Sequence, residues 1–162
     1  MIFERSRALG VAAGCAAAVA LLGGLATEIG PWYASLKRPS WQPPDWLFGP
    51  VWTLIYSLCA LSGATVWRAL GDDTQRRQLL VLWALNACFN VLWSLMFFRL
   101  HRPDWAQMEV GLLWLSVAAL IAFSVRAHRA AGLLLWPYLA WVSFAAYLNF
   151  YVVRLNAPFG GA

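Results

Sequence analysis

The sequence predicts an all-α integral membrane protein, a bundle of five transmembrane helices with a structured first connecting loop. Five long stretches of the 162-residue chain, residues 8–27, 46–67, 78–98, 110–125 and 130–153, contain no Asp, Glu, Lys or Arg. Their lengths fall around the ~20 residues that an α-helix rising ~1.5 Å per residue needs to cross a ~30 Å hydrocarbon core. The chain is also 62% hydrophobic and only 12% charged, which leaves too little polar surface to cover a soluble domain. The apolar runs are continuous rather than alternating, so backbone groups in lipid find their partners within helices and not in a closed barrel.

The first helix is expected over 6–27, where Gly10, Gly14 and Ala18 at intervals of four make a small-residue face for close helix contact. Arg5 and Arg7 before an Ala-rich run resemble a signal peptide, and the segment ending at Cys15 resembles a lipoprotein cleavage site. The apolar stretch before Cys15 is too short for the latter and the whole run too long for a signal core, so a retained span is expected. The following loop, 28–45, holds Pro31, Pro39, Pro43 and Pro44 with Trp32, Tyr33 and Trp41, and Trp46 follows just beyond. Such a segment is stiff and aromatic; it reads as a lid, with an interfacial aromatic belt as the alternative.

Helices are expected next over 46–68, 78–100, 105–126 and 130–154. The fourth has the shortest charge-free run and reaches full length only if Glu109 faces protein or headgroups. Short polar connections make successive helices antiparallel neighbours within a single domain spanning 1–162.

The net charge of +5 comes from 12 basic residues scattered in ones and twos, without the stripe a nucleic-acid backbone requires. They read as membrane-edge anchors. Seven (Arg5, Arg7, Arg68, Arg76, Arg77, Arg126, Arg129) fall on the N-terminal side and five (Lys37, Arg38, Arg99, Arg102, Arg154) on the other, which leans toward a cytoplasmic N-terminus. Cys15, Cys59 and Cys88 lie inside spans at spacings unsuited to a metal and are read as small packing residues.

On the third helix Trp83, Asn86, Asn90, Trp93 and Phe97 recur at spacings of 3, 4, 3 and 4 and share one face. The two carboxamides are either interhelical glue, at about 0.6–2 kcal/mol per hydrogen bond, or part of a cavity wall, and the accompanying indoles favour the cavity. The second helix has a matching stripe of Trp52, Tyr56, Cys59 and Gly63, and the fifth one of Pro137, Trp141, Ala145 and Leu148. Gly63 and Ala145 would leave room beside Trp52 and Trp141 for a flat hydrophobic guest. The expectation is a cavity under the Pro/Trp loop, lined by the second, third and fifth helices.

No charged residue lies mid-span, so coupled transport lacks a site. There is no phosphate-cradling Gly-rich loop and no His/Cys/carboxylate cluster, and His101 and His128 lie in edge loops. Hydrolytic, phosphoryl-transfer and metal chemistry therefore lack their parts, and no axial haem ligand or intrinsic cofactor is expected. Leu148, Tyr151 and Arg154 satisfy a loose sterol-contact pattern that many membrane helices meet by chance; from their place at the end of the fifth helix, Tyr151 and Arg154 read as interface anchors.

Taken together, Trp32-Tyr33 with Leu36, Pro39-Ser40-Trp41-Gln42-Pro43-Pro44, Pro50-Val51-Trp52-Thr53 with Tyr56, Asn90 with Trp93 and Phe97-Phe98, Trp105, and Pro137-Tyr138-Leu139-Ala140-Trp141 running through Phe144-Ala145 to Leu148-Asn149 resemble the translocator protein family. Its members are also called tryptophan-rich sensory proteins or peripheral benzodiazepine receptors. Arg38 departs from the Lys usual there, which exchanges a point charge for a planar fork.

The resemblance implies a five-helix bundle, commonly a homodimer, that binds porphyrins and haem and in many members sterols and isoquinoline or benzodiazepine ligands, in a pocket closed by the first connection. The pocket residues it implies are Tyr33, Trp41, Pro43, Trp52, Tyr56, Asn90, Trp93, Trp105, Trp141, Ala145 and Leu148. It also implies a possible light- and oxygen-dependent breakdown of protoporphyrin relying on Trp52 and Trp141. The leading expectation is a tetrapyrrole-binding receptor or sensor, with Lys37, Arg38 or other edge bases meeting the propionates; photo-oxidative degradation and passive porphyrin or sterol translocation are the alternatives. The Ala-rich style and short loops point to a bacterial cell envelope, inner or outer membrane left open.

Overall fold

A computed structural model describes residues 2–159, with side chains from Ser6 onward; Arg5, counted above, lies outside the described side chains. The elements are α1 (Ile2–Ala26), α2 (Pro31–Ser35), a 3-10 turn (Asp45–Leu47), α3 (Phe48–Ala69), α4 (Asp73–Ser94) running on as a π turn (Leu95–Arg99), α5 (Pro103–Ala127), α6 (Arg129–Leu133) and α7 (Trp136–Asn156). Five segments are long and apolar enough to cross a membrane: Ser6–Ala26, Asp45–Ala69, Asp73–Arg99, Pro103–Ala127 and Arg129–Asn156. The protein is an all-α, five-span integral membrane protein.

Local chemistry sets the boundaries. α4 begins several residues before the charge-free run because the Asp72 carboxylate accepts from the backbone N–H groups of Thr74 (3.2 Å) and Gln75 (3.3 Å), which caps the exposed first turn. Pro103 and Pro137 stand in the first turns of α5 and α7, where a missing N–H costs nothing. The last span is accordingly broken: α6 ends at Leu133 and α7 restarts at Trp136.

α5 is the central helix. Its buried Val110, Leu113, Val117, Leu120 and Ile121 pack with Leu135, Tyr138, Leu139 and Val142 from the last span and with Ile55 and Cys59 from α3. Only 6% of the α1 span is buried, against 44% of α5, and α1 packs mainly on α3, with α4 and its π turn next. The expected contact face of Gly10, Gly14 and Ala18 is not made within the chain: a Cβ at Gly10 or Gly14 would meet nothing within 4 Å. Cys59 is buried as expected, whereas Cys15 and Cys88 sit on the outward surface.

Four helices are tied together by one polar chain through the core. Tyr56 Oη donates to Asn90 Oδ1 (2.9 Å), Asn90 Nδ2 to Tyr138 Oη (3.1 Å), Tyr138 Oη to Asn86 Oδ1 (3.2 Å), Asn86 Nδ2 to Ser116 Oγ (2.8 Å), and Ser116 Oγ to the Leu113 carbonyl (2.6 Å). Side-chain donors and acceptors from α3, α4, α5 and α7 thereby satisfy one another where no water is at hand. Glu109 faces protein, as a full-length fourth span requires; it is 5% exposed, and neither carboxyl oxygen has a hydrogen-bond partner.

Candidate ligand cavity

A cavity of about 840 Å³ forms a partly open slot between α1, α3 and α4 with the first connection across one end. Its α1 wall is made of small residues, Ala13, Ala16, Ala17, Ala20, Gly23 and Gly24, and these create the volume. The opposing walls carry Trp52 and Tyr56 of α3 and Asn90, Trp93 and Phe98 of the third span. Trp52 stacks on Tyr56 (centroids 5.3 Å apart, planes at 25°), and Trp93 stacks on Phe97 (5.2 Å, 22°). A Cβ on Gly23 would lie 3.9 Å from Tyr56 Oη, so any larger side chain there would intrude on the slot.

The π turn shapes the upper wall. Its Leu100 N–H bonds to Leu95 O (2.9 Å), and Phe97 and Phe98, their rings 4.7 Å apart, pack against Trp32 (5.9 Å) and Tyr33 (5.6 Å) respectively. Arg99, closing the turn, reaches Glu28 Oε2 (2.8 Å) and the Leu25 carbonyl (2.6 Å), which staples the end of α1 to the end of the third span.

The first connection is docked on both flanks. On one, Trp32 stacks on His101 (4.1 Å, 16°); on the other, Trp41 stacks on Tyr147 (5.3 Å, 23°) and meets Tyr151 edge-on (5.5 Å). Asn156, at the end of α7, clasps the backbone of Lys37, accepting from its N–H (2.8 Å) and donating to its carbonyl (2.8 Å). Between these flanks Asp45 accepts from Tyr33 Oη (2.9 Å) and pairs with Arg38 (3.2 Å), whose guanidinium lies 4.1 Å from the Tyr33 ring centroid and donates to the Tyr33 carbonyl (3.0 Å). Burial, then the hydrogen bond to Asp45, pushes the Tyr33 phenol above its ordinary value.

The expected pocket residues divide into groups. Tyr33, Trp52, Tyr56, Asn90 and Trp93 come together around the slot. Ala145 and Leu148 instead line a separate space of about 50 Å³ behind the lid, shared with Arg38, Gln42 and Asn149 and bordered by Tyr33, Phe48, Trp93 and Phe98. Trp141 lines neither space; it stands edge-on behind Phe48 (5.5 Å). Trp41 lies over α7, Pro43 borders neither cavity, and Trp105 is 45% exposed under the Arg102 guanidinium (4.1 Å).

The expected walls from the second, third and fifth helices bound only the small space behind the lid, whereas the large slot is walled by the first, second and third. The reason is steric: Trp83 fills the space at Gly63, its Nε1 3.4 Å from a Cβ built there, and Phe48 stands before Trp141. Of the sterol-pattern residues, Leu148 is buried toward the small space, whereas Arg154 turns outward over Phe150 (5.7 Å). Sequence reasoning missed the α1 wall, Phe98, and Asp45 as the charged group at the slot. Asp45 carried a signal, being an acid set in a Pro/Trp loop; the α1 wall carried none. Among the described residues no three His, Cys, Asp or Glu side chains gather where a metal could sit.

A five-span bundle with an aromatic, partly open cavity beneath a docked Pro/Trp connection defines a class of multi-pass membrane proteins. Residues 11–155 match the model of the TspO/MBR family, and the chain belongs to that family. It is 41% identical to protein CrtK of Rhodobacter capsulatus over 147 residues, 90% of this chain and 89% of that one. It is 38% identical to the tryptophan-rich protein TspO of Chlorobaculum tepidum over 128 residues, 77% and 79% of the two chains. It is also 36% identical to the human translocator protein over 131 residues, 80% and 78%.

Proposed function

We propose that the protein is a membrane receptor or sensor that binds a tetrapyrrole such as protoporphyrin or haem in the slot, within a bacterial cell envelope. The observation that carries this reading is a slot of about 840 Å³ walled on one side by small residues and on the other by Trp52, Tyr56, Trp93 and Phe98. Its volume lies within the ~300–1,000 Å³ usual for ligand pockets, and a flat apolar guest gains most against ring faces. Arg38 is paired with Asp45, whereas Asn156 engages only the backbone of Lys37, so the Lys37 ammonium is the edge base that meets the propionates at the mouth.

Binding is favoured over photo-oxidative turnover, because only one of the two indoles that the latter requires, Trp52, lines the slot. Titration of purified protein with protoporphyrin, followed by tryptophan quenching and the porphyrin absorbance band, tests the reading. Saturable binding that weakens in a Gly23→Leu variant is expected; binding indifferent to that substitution would remove the slot as the site.

A further inference from the structure

We propose that the part of the slot between α1 and α3 also seats one extended hydrocarbon chain of a bilayer lipid whose head group carries an ammonium, with Asp45 receiving that head. The lining runs from Ala13 to Gly24 on α1 and from Gly49 to Ala60 on α3. Each wall is eleven residue steps, ~16 Å of helix, which is about half of a ~30 Å hydrocarbon core and so the depth of one leaflet.

The slot is oriented as a leaflet lipid is. Its charged lining group, Asp45, lies at the lid end with Tyr33 and Thr27; on the α3 wall the Thr53 and Ser57 hydroxyls are taken up by their own helix, donating to the Gly49 (2.9 Å) and Thr53 (2.8 Å) carbonyls, and the far end is bounded by Ala13 and Ala60. The low relief of the α1 wall admits a thin straight chain along its whole length.

Charge selects the head group. Of the Arg38–Asp45 pair only Asp45 lines the slot, whereas Arg38 lines the small space behind the lid. Asp45 Oδ1 accepts from Tyr33 (2.9 Å), Arg38 (3.4 Å) and Gln42 (3.4 Å), while Oδ2 has Arg38 alone (3.2 Å) and keeps lone-pair capacity for a further donor. An ammonium would gain a charge-assisted hydrogen bond there, and an anionic head would meet a carboxylate. This lipid site goes beyond the tetrapyrrole reading and does not depend on it.

The test uses the full-length protein incubated, without porphyrin, with vesicles of phosphatidylethanolamine and phosphatidylglycerol in equal amounts and with identical acyl chains. Native mass spectrometry then counts the lipids retained. Several-fold preferential retention of phosphatidylethanolamine is expected, collapsing toward parity in Asp45→Asn. Retention of both lipids should fall in Ala16→Leu/Ala20→Leu and stay unchanged in Ala18→Leu, a substitution outside the slot lining. Equal retention of the two lipids by the parent, or a preference that survives Asp45→Asn, overturns the proposal, as does full retention in the doubly filled variant. Should that variant fail to fold, the Asp45→Asn arm decides alone. A protoporphyrin titration of the same samples separates the two readings: loss of porphyrin binding with lipid selectivity intact overturns the tetrapyrrole assignment only.

Discussion

Trp52 and Trp141 are similar in sequence context, each an indole on an apolar helix near a proline, yet they stand in different surroundings. Trp52 is on the slot wall, stacked on Tyr56 and edge-on to Tyr138 (6.0 Å), whereas Trp141 is screened by Phe48. If bound porphyrin is lost under light and oxygen, Trp52→Phe should slow that loss and Trp141→Phe should leave it near the parental rate, because only the first indole meets the macrocycle. Absorbance decay of the porphyrin band under constant illumination checks this; equal slowing in both variants would place Trp141 against the ligand. Asn90 poses a different case. Its carboxamide borders the slot, but both ends are engaged, accepting from Tyr56 and donating to Tyr138. Asn90→Leu leaves the Tyr56 hydroxyl without its acceptor and removes one of the two bonds at the Tyr138 hydroxyl, which still donates to Asn86, and should cost about 1–3 kcal/mol. The expected result is a fall of several degrees in the melting temperature in detergent, and it makes Asn90 glue first and cavity wall second.

At the scale of elements, the lid is the part whose order depends on residues far away in sequence. Trp41 rests on α7 rings and Lys37 is clasped by Asn156, 119 positions further on. Asn156→Ala removes two hydrogen bonds to the lid backbone and leaves the α5 core untouched. Amide exchange across residues 36–42 should therefore quicken while exchange in α5 stays slow; unchanged exchange in the loop would show that the aromatic contacts hold it unaided. Added protoporphyrin should slow exchange over 30–45 more than around Asp72 and Asp73, which lie at the opposite membrane edge.

The Tyr33 latch adds a pH dependence with a definite sign. The folded-state value of the phenol is raised above the ordinary 10.0, so the protonated form is the one that stabilises the latch. That contribution is present in full below the ordinary value and is lost as pH climbs through the raised one. Lid exchange in the parent should accelerate at strongly alkaline pH, and in Tyr33→Phe it should show no such step.

For the whole molecule, spans were legible because the cost of charge in hydrocarbon writes charge-free runs directly into the sequence. Partner faces were not legible on α1, where Ala and Gly occur on every side and no polarity marks the face that meets α3. The cavity's third wall escaped for that reason, and that the fifth span lines only the small space behind the lid was not foreseen, because spacing alone does not reveal that Phe48 packs edge-on against Trp141. The polar chain was half legible: Asn86 and Asn90 announced a shared face, but Ser116 and Tyr138, its partners on α5 and α7, carried no mark of their role.

Charge also sets how the bundle sits across the membrane. The lid edge carries Lys37, Arg38, Arg99, Arg102 and Arg154, and the edge of the α3–α4 connection carries Arg68, Arg76 and Arg77 together with Arg126, Arg129 and the N-terminal Arg5 and Arg7. Seven bases against five lean toward a cytoplasmic N-terminus and an outward lid, since basic residues near span ends bias orientation and acidic neighbours count little. Ser40 and Gly71 are exposed on the two opposite connections, and Cys15, Cys59 and Cys88 lie within spans. In intact cells a membrane-impermeant maleimide should therefore label Ser40→Cys readily, and label Gly71→Cys only after the membrane is opened. The reverse pattern would put the lid, and with it the polar end of the slot at Asp45, on the cytoplasmic face.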